Sequence, residues 1–359
     1  MKKNIIRAAV SIITASSILL MGCGSGSGSA APATSAAAAA ETTAAAASSG
    51  DARKIQLGHV NPGKEEDNLQ HMSLTFADKL NELSGGKIQV DIVADSQLGS
   101  EREMLEGMEM GTVDMALTTN SAVGALDKEF QVFDFPYIFG NREQAYAVFD
   151  DAEIMDPMAQ KLYDEYAIKL LVVGDNGFRN MMNNVRPVNT VEDVKGMKIR
   201  LMENAIQSDC FKAFGASPTT MAFSEVYTAC QQGTVDGFEL PIASTYSGSY
   251  WEVIKYYSLT EHLFTPLNMM MSAQTWESFT EEEQGWIQAA ADAAKEENRR
   301  YIQEKEQGWL EEMGTHMEVN TVEDKSTFIE AAQSIYPTYA GDVGEEIVKK
   351  VQDKVASLQ

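Results

Sequence analysis

The sequence predicts an α/β protein of two similar lobes joined by a long helix, and three observations carry that prediction. Strand-like and helix-like apolar periods alternate along the chain, which implies a largely parallel sheet with helices on its faces. The alternation runs twice, and its two rounds share an echo. EMLEGMEMGTVDMA ends a helix on Gly111 and EVYTACQQGTVDGF ends one on Gly233, each with Gly-Thr-Val-Asp leading into a strand. Finally, the stretch from Glu281 to Glu312 keeps Trp286, Ile287, Ala290, Ala294 and Tyr301 at helical spacing among many charges, long enough to bridge both lobes.

In order, Ile55 to Val60 reads as the first strand, and Glu65 to Leu83 as a helix with Leu69, Met72, Phe76, Leu80 and Leu83 on one face, stopped by Gly85-Gly86. Ile88, Val90 and Ile92 alternate as in a strand. A turn at Gln97-Leu98-Gly99, a helix to Gly111 and the strand Val113 to Thr118 follow. The second round reads Leu170 to Val173 as strand, Thr190 to Val194 as a short helix, Lys198 to Met202 as strand and Asn204 to Phe214 as helix. Strands at Ser217 to Ala222 and Val235 to Glu239 flank the helix Ser224 to Gln232.

Ahead of this body, Lys2, Lys3 and Arg7 precede an apolar run from Ala8 to Met21 that is too short to span a bilayer, so residues 1–22 read as a signal peptide. Leu20-Met21-Gly22-Cys23 resembles a bacterial lipoprotein signal, which makes Cys23 the expected lipidated start of the mature chain. Residues 23–52, nearly all Gly, Ser, Ala, Thr and Pro, form a flexible tether. The remaining two cysteines, Cys210 and Cys230, fall on separate helices and read as small buried thiols.

Composition narrows the function. A net charge of -25 without any Lys/Arg run argues against nucleic acid. It does not exclude an anionic ligand, because exposed charge is screened within about 10 Å while a buried arginine acts locally. The four histidines show no zinc-ligand spacing, and neither a nucleophile elbow, a phosphate loop nor a strand-linked dinucleotide fingerprint occurs. A binding protein without enzymatic activity, cofactor or metal is expected. A surface hydrolase of acidic sugars with paired carboxylates, and an adhesion lipoprotein, are the rival readings.

The most informative stretch is 174–241. It carries Gly177-Phe178-Arg179, Arg186-Pro187, Glu192-Asp193, Lys195-Gly196, Lys198-Ile199-Arg200, Gly215-Ala216-Ser217-Pro218, Met221-Ala222-Phe223-Ser224-Glu225-Val226-Tyr227 and Val235-Asp236-Gly237. In these elements the chain resembles the substrate-binding proteins of tripartite ATP-independent periplasmic (TRAP) transporters. The likeness extends to Gln97-Leu98-Gly99, Phe133-Asp134-Phe135-Pro136-Tyr137 and Leu259-Thr260-Glu261-His262.

The resemblance implies a two-lobed periplasmic-binding-protein fold with crossover strands. On that basis residues 53–177 and 266–305 are expected to form the first lobe, and 178–265 and 306–359 the second. It also implies a monomeric receptor outside the cytoplasm, lipid-anchored at Cys23, that passes a small organic acid to the membrane subunits of a TRAP transporter. Sugar acids such as uronates or aldonates are the first ligand class, then four-carbon dicarboxylates and other carboxylates.

Arg200, at the end of a strand, has the planar fork that grips a carboxylate, and it matches the family's principal anchor. Arg179 matches a second ligand-facing arginine, and Phe223 an aromatic packed on the ligand. Leu240 and Glu203 stand where the family more often has Asn, and Asn or Gln. Glu203 could pair with Arg200, accept ligand hydroxyls or meet a cationic group. Thr119, Asn120 and Asn61, at strand carboxyl ends, are further pocket candidates.

Overall fold

The computed structural model describes residues 52–358, so the expected signal peptide, Cys23 and most of the tether lie outside the described residues. Among the described residues nine strands form one sheet: β1 (Arg53–Gly58), β2 (Ile88–Val93), β3 (Met115–Thr119), β4 (Ile168–Asn183), β5 (Lys198–Leu201), β6 (Ser217–Thr220), β7 (Gly237–Pro241), β8 (Tyr256–Ser272) and β9 (Glu318–Thr321). Their order is β2-β1-β3-β8-β4-β7-β5-β6, with β9 beside β8. The sequence echo has a spatial counterpart. β2-β1-β3 reaches β8 in the same order as β6-β5-β7 reaches β4, and Gly111 and Gly233 both adopt left-handed backbone ahead of the matching strands β3 and β7.

The sheet is mixed rather than largely parallel. Within each set of three the pairing is parallel, but β4 and β8 run antiparallel to each other and to β7 and β3. These two strands hold the fold together. The first residues of β4 pair with the end of β8 beside the β1–β3 half, whereas Arg179–Asn183 pair with β7 in the β5–β7 half. Their ladder shifts register between Asp175 and Phe178, where Gly177 takes a φ of +96°, a conformation that glycine reaches without strain.

Local chemistry sets the helix ends. Asp67 caps the helix Asn68–Leu83 by accepting from the amides of Leu69 and Gln70, which displaces its start from the expected Glu65. Its Leu69, Met72, Phe76 and Leu80 face β1 and β3. The long helix Glu281–Met313 opens on a capping box formed by Thr280 and Glu283. Ile287, Ala290 and Ala294 pack with the apolar residues of β1 and β3, while Tyr301, Trp309 and Met313 pack with Phe238 and Tyr257 of the other half. The helix therefore bridges both halves, as expected. Cys210 and Cys230 are free, buried thiols.

Candidate functional site

A cavity of 580 Å³ opens between the two halves, at the carboxyl ends of β3 and β5, where open α/β sheets bind their ligands. Its β5–β7 wall holds Arg200, Met202, Met221, Phe223 and Leu240. The opposite wall is more polar, with Asn61, Ser96, Ser100, Glu101, Thr119 and Ser121.

Arg200 is buried on β5. Its Nε and Nη2 both donate to the Met221 carbonyl, at 3.0 and 2.6 Å, which fixes the guanidinium plane. Nη1 is buried without a protein partner, so the Nη1–Nη2 edge remains for a ligand. A buried N–H left unmet costs about 1–3 kcal/mol, which a ligand oxygen would recover. Burial lowers the guanidinium to about 10, with Glu239 opposing the shift, so Arg200 stays protonated at neutral pH.

Arg179 borders the same cavity in a different state. It is held by Glu239 of β7, to whose carboxylate Nε and Nη2 donate, while Nη2 also reaches the Glu239 carbonyl at 2.8 Å. Burial would raise the Glu239 carboxyl, but Arg179 and His262 more than offset it and hold the group at about 2. His262 lies 3.5 Å from Glu239, and burial keeps its own proton affinity low. The Arg179–Glu239 pair is close to neutral as seen from the cavity, which leaves Arg200 as the uncompensated cation.

Glu101 faces these arginines from the first turn of the helix Glu101–Glu109. Its carboxylate accepts from the Thr119 amide at 2.6 Å and the Thr119 hydroxyl at 2.8 Å. Burial raises its proton affinity, partly opposed by Thr119 and by the fields of Arg179 and Arg200. The cavity thus presents a cation on one side and a carboxylate on the other.

Thr119, Asn61, Phe223 and Leu240 line the cavity. Asn61 does so from the bend after β1, with its amide donating to Asp67 at 2.9 Å and Ser244 at 3.2 Å. Asn120 is a correction. It begins the helix Asn120–Leu126, is buried outside the cavity and donates to the Phe130 carbonyl at 2.8 Å, because the chain turns into the helix one residue after the strand end. Glu203 is also placed differently from one of its alternatives, the pairing with Arg200. It is exposed at the cavity rim, 3.8 Å from Arg102 of the other half, and pairs with that residue instead of Arg200. Sequence reasoning missed Glu101, Ser121, Asn176 and Ser244. The capping box Ser100–Glu103 after Gln97-Leu98-Gly99 was a usable signal for Glu101, since it places a helix start beside a strand end.

Comparison with known proteins agrees with this arrangement. Residues 57–342 match the model of "Bacterial extracellular solute-binding protein, family 7". The chain is 30% identical over 289 residues to the 2,3-diketo-L-gulonate-binding periplasmic protein of Escherichia coli, covering 79% of this chain and 88% of the relative. A TRAP periplasmic solute-binding protein of Polaromonas bound to D-erythronate superposes with a TM-score of 0.80 at 31% identity, over 84% of this chain and 98% of the other. A TRAP protein of Sulfitobacter with bound β-D-galacturonate gives 0.78 at 30% identity, over 84% and 99%.

Proposed function

Since the chain belongs to bacterial extracellular solute-binding protein family 7, the receptors of TRAP transporters, we propose that it captures a hydroxylated monocarboxylate, a uronate or an aldonate, and delivers it to the membrane subunits. The observation that carries this reading is the buried Arg200 guanidinium, whose Nη1 lacks a protein acceptor and which borders a cavity large enough for a sugar acid. One carboxylate satisfies it with charge-assisted hydrogen bonds. Glu101 and Thr119 on the opposite wall suit hydroxyls, and the Phe223 ring suits the C–H face of a sugar.

A four-carbon dicarboxylate is the second reading, favoured by the presence of a second arginine. Against it stands the Arg179–Glu239 pairing, and Glu101 would repel a second carboxylate. The receptor binds its acid without turning it over. Residues 53–177 with 266–305, and 178–265 with 306–359, are the expected lobes that close on it; the change of partners along β4 favours the break at 177, whereas the helices Tyr336–Val343 and Glu345–Ala356 pack on Lys128–Asp134 and Arg142–Phe149 and so belong with the first lobe. The mature monomer is anchored through lipid on Cys23, for which intact mass of the native protein is the check.

A thermal-shift panel of uronates, aldonates and dicarboxylates tests the reading. A ligand at 100 times its Kd adds about 2.7 kcal/mol of stability. Sugar acids should raise the melting temperature and be recovered unchanged. A response confined to dicarboxylates, or catalytic loss of the acid, would reject the proposal.

A further inference from the structure

Beside the cavity lies a second polar cluster, which shares only Ser121 with the cavity lining. Asp134 ends the short helix Lys128–Asp134 in the β1–β3 half and is buried. Asn204, the N-cap of the helix Ala205–Ala213 in the β5–β7 half, donates to its Oδ2 at 2.8 Å, and Ser121 donates to its Oδ1 at 3.2 Å. Gln207, one turn into that helix, donates to the Ser121 hydroxyl at 3.0 Å. Four buried polar side chains thus cross from one half to the other, with Asp134 at their centre.

The cluster is short of protons. The direct partners of Asp134 are a hydroxyl and an amide, without a cation among them. The Asn120 amide also faces the carboxyl, and the Asn120 Oδ1 and Gln207 Oε1 atoms are both buried without a donor. Gly124 crowds the same carboxyl closely enough that a Cβ there would lie 3.1 Å from Oδ2, so little room is left for water.

Charged groups on the packed elements are engaged elsewhere: Lys128 with Asp342, Lys354 with Asp151, Glu261 with Lys325, Asp209 with Lys212, and Arg179 and His262 with Glu239. Arg179 is the one whose field still reaches Asp134 and favours its charged form.

We propose that Asp134 is a positioning residue that ties the two halves together, and that they hold each other more tightly when its carboxyl carries a proton. A protonated carboxyl adds a donor where buried acceptors outnumber donors, and it removes an uncompensated buried charge.

Titration agrees with the geometry. Burial raises Asp134 from 3.8 to about 6, with Asn120, Asn204, Ser121 and Arg179 only partly opposing the shift. A raised carboxyl contributes cohesion that is fully present below its ordinary value near 3.8 and is lost as pH rises through about 6.

Hydrogen exchange on the ligand-free full chain tests this without knowledge of the ligand, so it can fail while the sugar-acid reading stands. After correction for intrinsic rates, amides of the helix Ala205–Ala213 should be about tenfold better protected near pH 5 than near pH 7.5. Asp134→Asn, a neutral isostere, should abolish that difference. Asn204→Ala keeps the carboxyl but cuts the crossing bond, and should lower protection at both pH values. The proposal is overturned if wild-type protection does not change with pH, if Asp134→Asn keeps the same change, or if Asn204→Ala leaves protection unaltered.

Discussion

At the residue scale, the two carboxylates near the cavity differ in what they can do. Glu203 is exposed and meets Arg102 at 3.8 Å, the kind of surface pair that contributes roughly 0–1 kcal/mol, so Glu203→Gln should change affinity for sugar acids by less than about fivefold. Glu101 is fixed by two Thr119 donors and points its remaining capacity at the ligand space. Glu101→Gln preserves the shape and removes the charge; its amide oxygen can still accept from the Thr119 N–H, while its NH2 must donate to the Thr119 hydroxyl instead of accepting from it. A charge-assisted hydrogen bond contributes about 1.5–3 kcal/mol, so sugar-acid affinity should fall about tenfold, while succinate, relieved of repulsion, should bind more tightly. Calorimetry with both acids reads the ratio. An unchanged preference would mean that Glu101 does not touch the ligand. Of these site residues the sequence made Arg200, Arg179, Thr119, Phe223 and Leu240 legible, because strand ends and family motifs mark them. Glu101, Asn176 and Ser244 come from segments far apart in the chain, and only the fold brings them to one wall.

At the element scale, β4 and β8 show why the period-based reading stopped short. β1, β2, β3, β5 and β7 are legible within a few residues because their patterns are bounded by turn residues. β4 is buried along almost its whole length, so it lacks the alternation that marks a strand with one wet face. Its Gly174-Asp175-Asn176-Gly177 also looks like a loop, yet here Asp175 is held by Arg142 at 2.8 Å and by Tyr146. These polar residues can sit inside a strand because each finds a partner at the crossover. The close approach of β4 to β7 depends on Gly237, where a Cβ would lie 2.0 Å from the Met182 carbonyl oxygen. Gly237→Ala must push the two strands apart, and should cost about 1–3 kcal/mol or more in urea unfolding. An unchanged unfolding midpoint would show that the ladder relaxes without penalty.

At the scale of the whole molecule, two halves of like topology share two long strands and one bridging helix, and the ligand space lies between them. A ligand can favour the closed arrangement only through contacts it makes better there than in the open one. On the proposed reading, Arg200 on one wall and Glu101 with Thr119 on the other would supply such contacts to a molecule with a carboxylate at one end and hydroxyls at the other. The central claim is therefore that Arg200 anchors the acid, and its most direct test is calorimetric titration of D-galacturonate into wild type, Arg200→Lys and Arg200→Ala, each checked for native circular dichroism and melting. Arg200→Ala should weaken binding at least tenfold, and about a hundredfold if the Nη1–Nη2 edge makes two bonds, with Arg200→Lys rescuing it poorly because an ammonium cannot reproduce the fork. Equal affinity in wild type and a folded Arg200→Ala would contradict this anchoring role.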